Sequence, residues 1–302
     1  MEKVIITGAN GFIGKRLIKL LLSKNFEVWA IVRRKDYLDK YDKLHIIEAN
    51  FDDYRDLDSL LDVKGFEYFY HLAWDGVDSS KFHDYDKQLK NIKATCDAFE
   101  SARALKCKKF IFCGTFVEYE VRKYIEEQST VLRISTIYGM SKLTSEMFLK
   151  TLANKYSDIE LNIILPAQVY GEGDKGKTLS RVLIESINVG ESPNLCTGDF
   201  LYDWIYVGDL VEAMLVIGEK GKNLKSYYAG HRKIMLFRDI VINIRNILNP
   251  NVKLKFGAYK DNALIDYSKI DLDALYNDTG FEIKSNFIDT IKNTSIWIND
   301  NK

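Results

Sequence analysis

A doubly wound parallel α/β sheet, completed by a smaller mixed α/β region, follows from three observations. The first two thirds of the chain alternate short β-branched or aromatic runs with stretches of helical periodicity. Runs such as Val4-Ile5-Ile6 and Phe110-Ile111-Phe112 are apolar at every position, as strands covered by helices on both faces must be. A cluster of glycines falls at the first strand-to-helix turn.

Each element can be justified in order. Val4–Thr7 reads as the first strand, and Phe12, Ile13, Leu17, Ile18, Leu21 and Leu22 repeat at helical spacing behind it. Glu27–Val32, His45–Ala49 and Tyr68–Ala73 read as the next three strands. A long helical pattern covers about Asp84 to Leu105, and Lys109–Cys113 is the fifth strand. Tyr138 to Tyr156 reads as a helix and Leu161–Leu165 as the sixth strand. Beyond Pro166 the rhythm changes. Gly171, Gly173, Gly176, Gly190, Pro193 and Gly198 punctuate shorter elements. No linker separates the two parts, so they are expected to pack as one body around a cleft.

Composition excludes several classes. The chain has 302 residues, 46% hydrophobic and 28% charged, which is ordinary for a globular protein and foreign to a disordered or fibrous one. The 43 basic and 43 acidic residues cancel, so nothing points to nucleic acid. No apolar run reaches the ~18 residues of a membrane span, and Met1-Glu2-Lys3 leads straight into a strand rather than a secretory signal. Four cysteines without metal-ligand spacing suggest reduced thiols, a cytoplasmic location and no metal site. His45, His71, His83 and His231 are scattered, and each is expected to be structural or superficial.

The glycine cluster carries the first chemistry. Thr7-Gly8-Ala9-Asn10-Gly11-Phe12-Ile13-Gly14 spaces its glycines G-x-x-G-x-x-G. Gly8 permits the sharp turn, Gly11 admits a pyrophosphate against the backbone, and Gly14 lets helix pack on strand. The helix N-terminus offers free N–H groups to the phosphates. A bound dinucleotide is therefore expected on a Rossmann-like sheet, with Asn10, Phe12 and Ile13 completing the turn. Residues 1–168 and about 202–230 would form the dinucleotide-binding part, and about 169–201 and 231–302 the substrate region.

The second strand bears on which dinucleotide. An NAD site usually places a carboxylate about 20 residues past the turn, on the ribose hydroxyls. Here the strand ends Ile31-Val32-Arg33-Arg34-Lys35. Arg33 and Arg34 match a 2′-phosphate in charge and geometry, which favours NADP. The alternative is NAD, with Asp36 turned back to the ribose.

Tyr138-Gly139-Met140-Ser141-Lys142 places a tyrosine and a lysine at i and i+4, on one helical face. Free tyrosine, with a pKa of about 10, is a poor base at neutral pH. A neighbouring ammonium favours the phenolate, so Tyr138 could exchange a proton while a hydride moves. Lys142 could also hold the nicotinamide ribose. Thr115, just past the fifth strand, stands where its hydroxyl could orient a substrate oxygen, because ligands bind beyond the carboxyl ends of such strands.

With these residues in order, the chain resembles the extended short-chain dehydrogenase/reductases, the group of nucleotide-sugar epimerases, dehydratases and 4-ketoreductases. Thr7–Gly14 matches the family's TGxxGFIG pattern. Ala49-Asn50-Phe51-Asp52-Asp53 resembles its adenine-side turn, with Asn50 at the usual Asp. His71-Leu72-Ala73-Trp74 resembles the segment at the nicotinamide end of the fourth strand, and Asn91 stands at the family's usual Asn. Gly114-Thr115-Phe116-Val117-Glu118-Tyr119 resembles the segment carrying the catalytic Ser/Thr. Pro166-Ala167-Gln168-Val169-Tyr170-Gly171 and Tyr202-Asp203-Trp204-Ile205-Tyr206-Val207-Gly208-Asp209 resemble two further family motifs. The resemblance implies Thr115, Tyr138 and Lys142 as catalytic residues, and Cys113, Pro166 and Val169 beside the dinucleotide. It also implies a nucleotide-sugar substrate touching Gln168 and Tyr202, and a homodimer paired through the two long helices.

Departures from the pattern narrow the chemistry. Phe116-Val117 follow Thr115 where the dehydratases carry Asp-Glu. Gln168 replaces an Asn, and Tyr202 replaces an Arg that often grips the diphosphate. Arg181 is a candidate substitute for that grip. The expectation is a 4-keto(-6-deoxy) sugar reductase of surface-polysaccharide synthesis. A 4-epimerase holding NAD tightly is the alternative, and a catalytically quiet dinucleotide sensor is a third class, disfavoured by the intact Thr115, Tyr138 and Lys142.

Overall fold

A computed structural model describes residues 1–301 except 36–37, 78–80, 129–131, 133–134 and 261–264. The strands are β1 (Lys3–Thr7), β2 (Glu27–Val32), β3 (Leu44–Glu48), β4 (Tyr68–His71), β5 (Lys109–Cys113), β6 (Glu160–Pro166) and β7 (Gln168–Tyr170). They continue with β8 (Asn194–Cys196), β9 (Leu201–Tyr202), β10 (Trp204–Tyr206), β11 (Lys225–Ala229), β12 (Met235–Leu236) and β13 (Lys255–Tyr259). The helices are α1 (Phe12–Ser23), α2 (Leu57–Leu60), α3 (Tyr85–Ala104), α4 (Val117–Glu127) and α5 (Ser135–Tyr156), then α6 (Leu179–Asn188), α7 (Val207–Lys220), α8 (Phe237–Leu248), α9 (Ala274–Thr279) and α10 (Phe287–Asp300).

Seven parallel strands form the main sheet in the order β11-β6-β5-β4-β1-β2-β3. The order runs one way from β1 and the other way from β4, so the topological switch point, where such sheets bind ligands, lies between these two strands. Alternate residues of each strand serve opposite faces. Val4, Ile6, Val28 and Ala30 join one buried cluster with Leu17 and Leu21 of α1 and Leu210 and Met214 of α7. Ile5, Trp29, Phe69, Phe110 and Phe112 join another with Ala98 and Phe99 of α3 and Leu149 of α5. Burial on both faces is why these strands read as unbroken apolar runs.

A third, smaller core holds Leu183 and Ile184 of α6, Ile240 and Ile244 of α8, Ile291 of α10, and Trp204. Not all of 231–302 lies with it. Tyr267, Ile270, Ala274 and Leu275 pack instead into the core under the main sheet.

Two sequence expectations need correction, and α4 lies in a stretch for which no element was expected. The helix of Tyr138 begins earlier, at Ser135, where Thr136 and Ile137 masked the signal. The strand expected over Tyr68–Ala73 ends at His71. Among the described residues, no helix is long and apolar enough to cross a membrane, no His/Cys/Asp/Glu group could hold a metal, and all four cysteines are free.

Candidate active site

A cleft of about 1810 Å³ opens where β1, β4, β5 and β6 end, lined in turn by Gly8, Leu72, Cys113 and Pro166. Its floor is the glycine turn. Gly8 has φ +67°, and a Cβ there would stand 2.7 Å from the Ala73 nitrogen. The turn is closed by the Gly11 N–H donating to the Gly8 carbonyl at 3.0 Å. A Cβ on Gly14 would collide with Gly8 O and with Ala9. Gly11 caps α1 without any side-chain hydrogen bond, so the first-turn N–H groups face the cleft uncapped. Asn10, Phe12 and Ile13 line the same floor. Uncapped donors around a cradle that side chains would fill suit a pyrophosphate.

The adenine end follows. Arg33 at the tip of β2, Phe51 and Tyr54 line the cleft, and the last two rings meet edge-on at 5.4 Å. Arg34 and Asn50 are not part of the wall. Asn50 instead starts a 3₁₀ turn, its N–H donating to Asp53 at 2.7 Å. Asp36, the NAD alternative, lies outside the described residues.

Behind the nicotinamide end is a buried polar latch. Thr95 Oγ1 donates to the Asn91 carbonyl at 2.8 Å, and so accepts from His71 Nε2 at 3.1 Å. That leaves His71 Nδ1 to accept from Thr7 Oγ1 at 2.8 Å, while Thr7 Oγ1 accepts from the Ala73 N–H at 3.3 Å. Burial, aided by the Lys142 charge, pushes the imidazole down to about 3, so His71 is neutral and structural. Asn91 brackets Asp75, accepting from its N–H and donating to its carbonyl at 2.8 Å each. Asn91 therefore positions the Leu72–Asp75 segment from behind, while Leu72, Ala73 and Trp74 face the cleft. The Trp74 indole donates to Gln88 at 2.9 Å.

Thr115, Tyr138 and Lys142 meet at the middle of the cleft. Thr115 and Tyr138 are hydrogen-bonded, and the phenol ring stacks on Phe82 at 4.5 Å and stands perpendicular to Trp74. Burial raises the Tyr138 phenol and the bond to Thr115 opposes it, so the chain by itself keeps this phenol protonated rather than favouring the phenolate. Lys142 is engaged elsewhere. Its ammonium donates to the Cys113 carbonyl at 2.7 Å and sits 3.8 Å over the Trp74 ring. Burial lowers it to about 8.

Val169 and Gln168 line the wall expected to face the substrate, where Tyr202 Oη donates to Gln168 at 3.5 Å. Tyr202 is packed against Phe116, Phe200 and Phe237. Arg181 does not reach the cleft. Its guanidinium is spent on Glu185 at 2.7 Å and the Asp174 carbonyl at 2.6 Å, an i, i+4 pair that α6 favours over a reach outwards. Sequence reasoning missed Phe82, Tyr54, Phe200, Phe237 and Trp297, which also line the cleft. None of these five stands within a quoted motif, whereas Phe116, next to Thr115, does.

The chain is similar to two named enzymes and shares its fold with a third protein. The chain is 25% identical over 282 residues to the dTDP-4-dehydro-6-deoxyglucose reductase of Escherichia coli, covering 84% of each chain. It is 23% identical over 279 residues to the CDP-abequose synthase of Yersinia pseudotuberculosis, covering 87% of this chain and 90% of that one. The UDP-N-acetylglucosamine 4-epimerase of Methanobrevibacter ruminantium, solved with UDP-N-acetylmuramic acid, shares the fold with a TM-score of 0.77 at 22% identity, over 100% of this chain and 99% of that one. The family model for the NAD dependent epimerase/dehydratase family matches residues 4–230. With its switch-point cleft, glycine turn and Thr–Tyr–Lys cluster, this chain belongs to the NAD dependent epimerase/dehydratase family and is an enzyme of the extended short-chain dehydrogenase/reductase type.

Proposed function

We propose that the enzyme reduces the 4-keto group of a nucleotide-linked 4-keto-6-deoxy sugar to the alcohol. The observation that carries this reading is the placement of Thr115, Tyr138 and Lys142 together in the cleft wall, with the Tyr138 phenol beside Thr115 and raised by burial. A ketone gaining a hydride must also gain a proton, and a protonated tyrosine is the group to give it. When bound, the dinucleotide supplies the hydride. Thr115 orients the substrate oxygen toward Tyr138. Lys142, held by the Cys113 carbonyl, keeps positive charge beside the developing alkoxide and is placed to hold the nicotinamide ribose. Gly8, Gly11, Gly14 and the start of α1 would hold the pyrophosphate, with Phe51 and Arg33 at the adenine end. Gln168 and Tyr202 would face the sugar nucleotide. Phe116 and Val117 after Thr115 offer no acid/base pair for dehydration.

Two relatives named as a 4-keto-sugar reductase and a CDP-abequose synthase support this direction. Epimerisation is the second reading, favoured by the family description and by a site that can run in either direction. Incubation with a nucleotide-linked 4-keto-6-deoxy sugar and reduced dinucleotide separates the two. Stoichiometric dinucleotide oxidation is expected. Interconversion of a nucleotide-linked hexose and its 4-epimer without net dinucleotide consumption, by protein that copurifies with NAD, would overturn the reading.

NADP is the proposed dinucleotide, on the strength of Arg33 alone in the cleft wall. Charge-assisted bonds are worth about 1.5–3 kcal/mol each, which corresponds to about tenfold or more in affinity. Arg33→Ala should weaken NADPH by that factor and leave NADH nearly unchanged. Equal affinity of the wild type for both would remove the assignment.

We also propose a homodimer through α3 and α5. Tyr85 and Leu89 on α3, and Met140, Met147 and Phe148 on α5, are exposed large hydrophobics on these two neighbouring helices.

A further inference from the structure

Glu118 is completely buried, on the first turn of α4. Its Oε1 accepts from the Thr115 N–H at 2.9 Å. The carboxyl comes this close because residue 114 is glycine. A Cβ at Gly114 would collide with Glu118 Oε1 and stand 2.7 Å from Leu165. The other side of the carboxyl faces a second one, that of Glu146, across the packed helices α4 and α5, within reach of a hydrogen bond if one of the two carries a proton. Glu146 is also buried, on α5 one turn beyond Lys142. Its Oε1 accepts from Arg122 at 3.1 Å, Lys150 at 2.8 Å and Ser226 at 2.9 Å. Oε2 of each glutamate has no N–H or hydroxyl donor among the described residues. Two ionised carboxylates in a dry pocket, each presenting an acceptor to the other, cannot make a hydrogen bond. One proton between them can.

We propose that Glu118 and Glu146 share a single proton resident on Glu118, and that this neutral carboxyl is a positioning residue that fixes Thr115 and keeps a negative charge away from Lys142. Two cations and a hydroxyl hold Glu146 ionised, whereas the bond partners of Glu118 are the Thr115 amide and Glu146. The acid O–H then points at Glu146 Oε2, and the acid carbonyl, Oε1, takes the Thr115 N–H. The groups around Glu118 are Cys113 from β5, Tyr119 from α4, and Tyr138, Lys142 and Glu146 from α5. Among the described residues, Glu146 is the titratable group within hydrogen-bonding reach of Glu118. Burial and the Glu146 charge both push Glu118 well above the usual carboxylate range.

This inference deepens the reading of Thr115, Tyr138 and Lys142 as the reacting centre and rests on it, but its first test does not need a substrate. Infrared spectra of the whole protein should show the carbonyl stretch of a protonated carboxylic acid at neutral pH, lost in Glu118→Gln and kept in Glu120→Gln. Absence of that band in folded wild-type protein overturns the shared proton, whatever the enzyme turns over. The second test is kinetic. Glutamine reproduces a protonated Glu118 atom for atom, accepting from Thr115 and donating to Glu146. Glu118→Gln should therefore lose less than threefold in kcat and keep the alkaline limb of the pH profile where the wild type has it. Glu118→Leu should lose about ten- to hundredfold in kcat with little change in dinucleotide KM. If Glu118→Gln shifts that limb downwards, Glu118 carried a charge beside Lys142 and the proposal fails. Glu118→Gln as impaired as Glu118→Leu would refute it as well.

Discussion

Tyr138 illustrates how a site residue's surroundings set its acidity. Its i, i+4 spacing from Lys142 was visible in the sequence, but the burial that raises its phenol was not, because Phe82 and Trp74 come from elsewhere in the chain. Tyr138→Phe keeps the ring that stacks on Phe82 and removes only the transferable proton. Turnover should fall about 10²–10⁴-fold, while dinucleotide affinity changes less than twofold. Steady-state rates and an equilibrium titration on the same preparation check both halves, and turnover within threefold of wild type would remove Tyr138 from the proton donor's place. Thr115, Gly8 and Trp74 were legible because each sits inside a motif of fixed spacing. Glu118 stood in such a motif and was still missed as a buried acid, since nothing local reveals that Gly114 opens the space it fills. Arg181 failed for the opposite reason. Its sequence context offered a cation, and Glu185 one turn away took it.

At the scale of the element, the β1–α1 turn and the end of β4 form one unit. Gly8 lies against the backbone of Leu72 and Ala73, Gly14 lies against Gly8, and Thr7 reaches His71. Gly14→Ala forces backbone rather than a flexible side chain to move, at a cost of about 1–3 kcal/mol. Its thermal midpoint should drop, and dinucleotide affinity should fall more steeply than stability if the displaced backbone is the proposed phosphate cradle. A Gly14→Ala protein that binds as tightly as wild type would show that the cradle lies elsewhere.

The His71 latch adds a pH dependence of definite sign. An unfolded histidine takes up a proton near 6.5, but the buried one resists until about 3. Between those values the unfolded chain binds more protons, so stability falls as the pH falls, by about 1.4 kcal/mol per unit from this residue. Urea midpoints at pH 7 and pH 5 should differ in the wild type, and the difference should shrink in His71→Gln. An unchanged difference would mean that other groups carry the acid sensitivity. The strands that make this unit were read from the sequence to within two residues. Helix α4 was not, since no element was expected between Cys113 and Tyr138 although Val117, Val121 and Tyr124 fall at helical spacing.

Across the whole molecule, the doubly wound sheet was legible because both of its faces are buried and its strands are therefore apolar throughout. The assignment of 267–275 to the main body was not, since a segment's sequence does not tell which of two cores receives it. Assembly is the remaining large-scale question. Long helices α3 and α5 already cover one sheet face with Ala98, Phe99 and Leu149, yet keep Leu89, Met147 and Phe148 exposed. Light scattering at micromolar concentration should give the dimer mass, and Phe148→Glu should give the monomer. A wild-type monomer would place the function of these side chains elsewhere.

The tryptophans lend the molecule an optical use. Trp29 and Trp204 are locked in two different cores, whereas Trp74 and Trp297 stand in the cleft wall, one under the Lys142 ammonium beside the reacting centre and the other on the last helix. Both cleft indoles stand where an entering ligand can alter their emission. With Trp297 replaced by Phe, the change on adding dinucleotide or substrate is read through Trp74 beside Lys142; with Trp74 replaced by Phe, it is read through Trp297 on α10. The order in which the two ligands load thus becomes readable in stopped flow without a label, from a chain that carries its own pair of lamps.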